Sequence, residues 1–262
     1  MVTFLSRATF AEPTLNADAA TVSFVSQARL NGCIVLCNWK RGEVERLLPA
    51  ELALGTNTSP TPDLHPVAFV FGDLTDGATL FGGVTFFTGI AYQEFAMAIP
   101  FVKHTHCAHL HTYIPRMYSS YFPPTWSGNT YYGFAKEIAR LRWQGPIFMI
   151  TTDDDRLLLH VPVETGGSWL PGGSCQLPNF AAMQEIFALP VVGRKADGTY
   201  ICSYFSWDFS NALVRPADSC VSIDAPLFEG LTPRRCDDVS SGTFQVQHML
   251  WKLSWPSSCR FR

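Results

Sequence analysis

Apolar positions along the chain come mostly in short runs without a helical period. Thr21–Arg29, Ile34–Cys37, Val67–Phe71, Leu80–Phe87, Ala91–Ile99, Ala108–Ile114, Ile147–Thr151, Leu157–Val163, Tyr200–Trp207 and Phe244–Leu253 are rich in β-branched and aromatic residues and read as strands. Turn residues punctuate them, and Asp73-Leu74-Thr75-Asp76-Gly77 and Ala196-Asp197-Gly198 predict turns. Many of these runs are apolar at successive positions, so both faces of the sheet are covered, as in a barrel. Helical signals are few. Gly42–Leu48 offers Val44, Leu47 and Leu48 to a core and stops at Pro49; Tyr132–Trp143 places Phe134, Ile138 and Leu141 at i, i+4 and i+7. The Gly/Pro/Ser/Thr-rich stretches Thr56–Pro62 and Thr165–Pro178 read as loops, and neither divides the chain into self-sufficient halves. The pattern predicts one β-rich α+β domain over 1–262.

Composition narrows the class. Of 262 residues 47% are apolar and only 16% charged, with a formal charge of −3 and no basic run. That balance excludes disorder and argues against a nucleic-acid partner. So little charge implies a surface partly covered by other subunits, hence a homo-oligomer, or an apolar pocket within. Arg7, Glu12 and Pro13 interrupt the N-terminal segment before an apolar core of signal length forms, so a cytoplasmic protein is expected. Gly77–Gln93 is uncharged but too short and too glycine-rich for a membrane helix, so no membrane partner is expected. The eight cysteines (33, 37, 107, 175, 202, 220, 236 and 259) are then expected as free thiols, mostly buried. No GxGxxG, P-loop, HExxH or GxSxG motif occurs, which argues against the common nucleotide-binding, zinc-protease and hydrolase classes.

Three groups of residues could carry chemistry. Lys136 lies among aromatic and apolar neighbours in Tyr131-Tyr132-Gly133-Phe134-Ala135-Lys136-Glu137-Ile138. On the expected helix Tyr132, Lys136 and Arg140 share a stripe, and taken alone the lysine reads as a solvated polar-face residue. Glu94, beside Tyr92, reads alone as a surface residue, and Arg29 as the solvated end of a strand. His104, His106, His109 and His111 crowd one segment. On a continuous strand 104 and 106 face opposite to 109 and 111, so a single metal site would need a turn between the pairs, and pocket-lining or hydrogen-bonding roles are expected instead.

The lysine segment resembles that of the acetoacetate decarboxylase-like superfamily, in which an aromatic–Pro–Lys follows a glycine. The similarity runs along nearly the whole chain. Ala28-Arg29-Leu30 precedes a strand as an arginine does in that superfamily. Leu47-Leu48-Pro49-Ala50-Glu51-Leu52 resembles its helix–Pro–strand junction, and Ala91-Tyr92-Gln93-Glu94 with Ala98-Ile99-Pro100 resembles its Tyr-x-Glu segment. Pro178-Asn179-Phe180 and the later Asp197-Gly198 before Ile201 complete the set. The resemblance implies a seven-stranded, cone-like antiparallel β-barrel with helices outside, an apolar active-site cavity, and assembly into oligomers. It also implies a small-molecule keto substrate held as a Schiff base on Lys136, with Glu94 and Arg29 as further catalytic groups and with no cofactor or metal. Tyr92, His111, Tyr113, Phe134 and Arg140 are the expected substrate-binding residues, with His111 facing the cavity.

An amine attacks a carbonyl only when neutral, so such a lysine needs an apolar setting or a cationic neighbour. The cationic neighbour is a known device of acetoacetate decarboxylase itself, not something this sequence shows. The iminium then serves as an electron sink for decarboxylation, aldol chemistry or dehydration. The chain departs from the superfamily pattern at three places. Glu137 stands where decarboxylases often have a second lysine, Gly128-Asn129-Thr130 replaces Gly-Arg-Glu, and a second carboxylate position falls near Val70 or Phe71. Glu137 would oppose lysine reactivity unless it points away, and Arg140 is the expected substitute cation. Decarboxylation of a β-keto acid is the default reaction. An aldolase–dehydratase or cyclase of a biosynthetic pathway, with a larger and more apolar keto substrate, is the alternative, and a non-catalytic binding protein a further one.

Overall fold

The computed structural model describes residues 23–56, 61–81, 84–104, 109–235 and 240–259. Strand β1 is Phe24–Lys40 and is followed by the short helix α1, Arg41–Glu45. Then come β2 (Leu64–Phe81), β3 (Val84–His104), β4 (His111–Ser119) and helix α2 (Phe122–Ser127). Next are β5 (Lys136–Ile138), β6 (Arg140–Gln144), β7 (Ile147–Thr151) and β8 (Leu157–Thr165). Helix α3 (Phe180–Ala188) precedes β9 (Val191–Arg194), β10 (Tyr200–Ser203) and β11 (Phe205–Asp208). The chain closes with β12 (Leu213–Ser219), β13 (Ser240–Ser254) and β14 (Ser257–Ser258).

Pairing follows a barrel-like path, antiparallel through β1, β2, β3 and β4. β4 pairs in parallel with both β5 and β9, and β9 is antiparallel to β10. β10 lies along β14 and β11 along β13, and β13 pairs back onto β1. On β1 from Cys33 to Cys37, and on β4, both faces are buried, as the unbroken apolar runs required. On β1, Cys33, Val35 and Cys37 enter one core, with Phe69, Phe71, Phe95 and Phe148. Leu30, Ile34 and Leu36 enter the other, with Met117, Ile186, Phe187 and Trp251. The period of two assigns each residue to its core.

Several expectations need correction. Tyr132–Trp143 is not a helix. Its chain leaves a π-turn at Gly128–Tyr132 through Gly133 (φ +64) and becomes strand, because the free edge of β4 pairs Met117, Tyr118 and Ser119 with Lys136, Glu137 and Ile138. Ile138, assigned above to the buried stripe, is 49% exposed, whereas Phe134 and Leu141 are buried. The turn expected at residues 73–77 is a bulge inside β2: Asp76 takes φ +52, the register with β3 slips between Leu74 and Gly77, and the strand runs on. The expected strands Thr21–Arg29 and Ile34–Cys37 form one element from Phe24 onward. The turn at residues 196–198 is present, with Gly198 at φ +86 joining β9 to β10.

The thiol expectation also needs correction. β14 pairs with β10 and brings the Cα atoms of Cys202 and Cys259 to 5.0 Å, where they form a disulfide. Among the described residues Cys33 and Cys175 are free thiols, and Cys107 and Cys236 lie outside them. No helix among the described residues is long and apolar enough to cross a membrane.

Candidate active site

The even-numbered face of β3 carries Tyr92, Glu94, Ala96 and Ala98 toward the second core. The alanines leave room there. An apolar cavity of about 50 Å³ opens between them, Leu30 and Leu74, with Trp207 and Trp251 on another side. Helix α3 contributes Ile186 and Phe187, with Phe187 packed on Trp207 at 4.5 Å between ring centroids. Apart from Glu94 and Thr112, the lining side chains are apolar. The space exceeds the ~10–15 Å³ that one water needs and suits a group of a few heavy atoms.

At the Glu94 end lies Lys136. Its side chain is 5% exposed and its Nζ donates a short hydrogen bond to Glu94 Oε2, itself on a side chain 17% exposed. Two local devices fix the lysine. The Asn129 carboxamide brackets its peptide group: Asn129 Nδ2 donates to Lys136 O at 2.7 Å, and Lys136 N donates to Asn129 Oδ1 at 2.8 Å. Gly128 passes so close that a Cβ there would sit 3.2 Å from Lys136 Cδ. Gly133 then returns the chain against β9, where Arg194 N donates to Gly133 O at 2.9 Å and an added Cβ would meet the Arg194 backbone at 2.7 Å. Only a glycine fits there, both in space and in its left-handed conformation.

The Tyr92 ring centroid is 5.6 Å from Lys136 Nζ. Burial, with Glu94 adding to it, pushes the Tyr92 phenol well above its ordinary range, so it stays a proton donor. Phe134 stacks between Tyr132 and Phe205, and Phe205 lines the cavity. Lys136, Glu94, Tyr92 and Phe134 thus lie together at this end of the cavity.

Four other expected residues lie elsewhere. Arg29 is outside the cavity lining, because its strand neighbour Leu30 takes the inward position; it is 39% exposed beside Asp76, at 3.4 Å. Arg140 is 52% exposed and pairs with Asp155 at 2.8 Å, so it is not the substitute cation. Its expected place depended on a helical turn that does not form. His111 and Tyr113 alternate with the cavity residues Thr112 and Ile114, and Tyr113 packs against the first core. Burial lowers the pKa of His111. His104 packs edge-on to Tyr200 at 4.9 Å, His109 is exposed, and His106 is outside the described residues.

Glu137 points away from the site and pairs with Arg116, and the carboxylate beside Lys136 is Glu94 instead. The sequence analysis missed Asn129, Thr112 and the wall formed by Phe187, Phe205, Trp207 and Trp251. The pair Gly128-Asn129 before an aromatic run was the one local signal for the first. The wall had none, since its members come from three elements distant in sequence.

Comparison with known proteins separates fold from sequence. No family profile matches the chain, and no curated protein does. Solved structures do. The enduracididine biosynthesis enzyme MppR complexed with pyruvate is 14% identical with a TM-score of 0.57, over 94% of each chain. Acetoacetate decarboxylase from Legionella pneumophila subsp. pneumophila str. Philadelphia 1 is 14% identical with a TM-score of 0.53, over 97% of each. An acetoacetate decarboxylase-like enzyme from Sphingomonas wittichii RW1 is 9% identical with a TM-score of 0.52, over 94% of this chain and 98% of that one. At such identities the likeness lies in the path of the backbone, and this chain has the fold of the acetoacetate decarboxylase-like superfamily.

Proposed function

We propose that the protein is an enzyme that binds a small carbonyl compound as a Schiff base on Lys136 and works as an aldolase–dehydratase. One observation carries this reading: a buried lysine held on a single carboxylate, Glu94, at the end of an apolar cavity. Lys136 attacks as the neutral amine, once its ammonium has given up a proton. Nζ adds to the carbonyl carbon, the carbinolamine hydroxyl takes up a proton and leaves as water, and an iminium forms. Glu94 then removes a proton from the α carbon, the electron pair moves onto the iminium nitrogen, and the resulting enamine attacks a second carbonyl. Loss of water and hydrolysis of the iminium release the product and restore the amine. The chemistry needs no cofactor, because the iminium is itself the electron sink.

Aldol chemistry is favoured over the default decarboxylation by the charge of the site. Among the described residues, none that lines the cavity besides Glu94 is charged. A departing substrate carboxylate would face Glu94 with only the iminium to balance it, whereas proton transfers to and from carbon use the carboxylate directly. The solved structure of MppR with the condensation product of pyruvate and imidazole 4-carboxaldehyde is a case of such chemistry on this fold.

Borohydride reduction in the presence of pyruvate or acetone tests the proposal. The reduced adduct is expected on the peptide holding Lys136 and absent in Lys136→Ala. Glu94→Gln is expected to keep the adduct but lose deuterium wash-in at the α carbon by about 10²-fold or more. An adduct on Lys40, Lys103, Lys195 or Lys252 would overturn the site. Unchanged wash-in in Glu94→Gln with CO2 release from acetoacetate would return the reading to decarboxylation.

A further inference from the structure

A second concave site lies on the other face of the sheet that forms the cavity. Leu30 and Leu74 are paired across β1 and β2 and line the cavity; the next rung, Asn31 and Asp73, lines a separate groove of about 270 Å³. Two tryptophans, Trp143 and Trp169, and the amides of Gln245 and Gln247 also border it.

The groove holds one arginine in a fixed pose. The Arg215 guanidinium lies 4.3 Å from the ring centroid of Trp169, and its Nε donates to Gln245 Oε1 at 2.6 Å. Those two contacts set the plane of the fork and occupy its inner edge. Among the described residues no carboxylate stands within ion-pair distance of it. The acid in the same groove, Asp73, accepts from Gln93 Nε2 at 2.9 Å. It is also three strands away: β2 carries Asp73 opposite Asn31, β1 carries Gly32 opposite Val246, and β13 carries Gln245 opposite Arg215. Three spacings of ~4.8 Å put the two rows about 14 Å apart. Arg215 is therefore a pre-oriented cation whose outer N–H pair is left for something outside the chain.

We propose that this groove binds an aromatic monocarboxylate. The planar fork of Arg215 matches a carboxylate through two parallel hydrogen bonds. Trp143, Pro146 and Val163 offer an apolar wall to a flat body. Asp73 at the far side disfavours only a ligand long enough to place a second negative charge beside it. The site is distinct from the Lys136 cavity and does not depend on the reading of that cavity.

Benzoate is the probe and benzamide its uncharged control, followed through the indole N–H signals of Trp143 and Trp169. Saturable shifts at millimolar benzoate are expected in the wild type and equally in Lys136→Ala. Benzamide is expected to bind about tenfold or more weaker, as is benzoate to Arg215→Gln. Arg215→Lys keeps the charge but not the fork and should fall between. Equal binding of benzamide and benzoate to the wild type, which needs no variant to fold, would overturn the proposal. So would the absence of saturable shifts, or the loss of the benzoate shifts in Lys136→Ala.

Discussion

Removal of the Asn129 side chain tests whether the lysine loop is held as described. Asn129→Ala deletes two hydrogen bonds, of 2.7 and 2.8 Å, that clamp the peptide of Lys136 from both sides. Each is worth about 0.5–1.5 kcal/mol net. Asn129 is exposed, so water reaches the vacated groups, and Lys136 N keeps a bond to Phe134 O at 2.9 Å. The full desolvation cost is therefore not incurred, and the loss should be about 1–2 kcal/mol. For a chain of this size that lowers the midpoint of thermal unfolding by roughly 2–8 °C. The larger effect is on chemistry. With its backbone anchor gone, Nζ samples positions off Glu94, and borohydride trapping at Lys136 should slow by about tenfold while the adduct stays on the same peptide. Asn129→Asp keeps the acceptor for Lys136 N and loses the donor to Lys136 O, so its stability should lie between. Calorimetry and the trapping rate are the two readouts. An Asn129→Ala protein that melts and traps like the wild type would refute the clamp.

Burial holds His65 at a pKa of about 4 against an ordinary 6.5, with a ring nitrogen 2.8 Å from Pro100 O. The unfolded chain therefore takes up a proton below pH 6.5 that the native state refuses. About 3 kcal/mol of stability should be lost as the pH falls from 6.5 through 4, read as a drop in the urea midpoint that His65→Gln reduces. The Cys202–Cys259 bridge closes a loop of 57 residues in sequence separation. In the chain-entropy model its loss costs about 4 kcal/mol, so reductant or Cys202→Ser should lower the urea midpoint. Phe122, Trp126 and Trp255 are each about half exposed or more, and Tyr131 packs between the two tryptophans, edge-on to Trp126. Light scattering at micromolar concentration is expected to report at least a dimer through such apolar surface, and Trp126→Glu with Trp255→Glu to reduce it.

The sequence by itself determined the strands and which residues face inward. Unbroken apolar runs such as Ile34–Cys37 required burial on both faces, and the two-residue period sent Cys33 and Ile34 to different cores. Glu94, a surface residue when read alone, became a candidate only through the resemblance, and the tertiary structure sets it on the face of Tyr92 and Ala96. Lys136 was legible only through the family resemblance of its segment, which was itself assigned the wrong period. A stretch of twelve residues with Phe134, Ile138 and Leu141 in register carries a helix signal, and nothing local reveals that the edge of β4 lies free to pair with it. Hydrogen bonds to a strand distant in sequence outweigh a weak local preference.

Tertiary structure alone decided the rest. Arg29 and Arg140 are excluded from the site by the direction of single side chains, fixed by strand pairing. Cys202 and Cys259 are brought together only by the pairing of β10 with β14. The aromatic wall of the cavity and the Arg215 groove are assembled from strands that meet through long-range register. Local patterns encode burial, because burial follows the period of one element. They do not encode which elements become neighbours, because that depends on the free energy of the whole packed sheet.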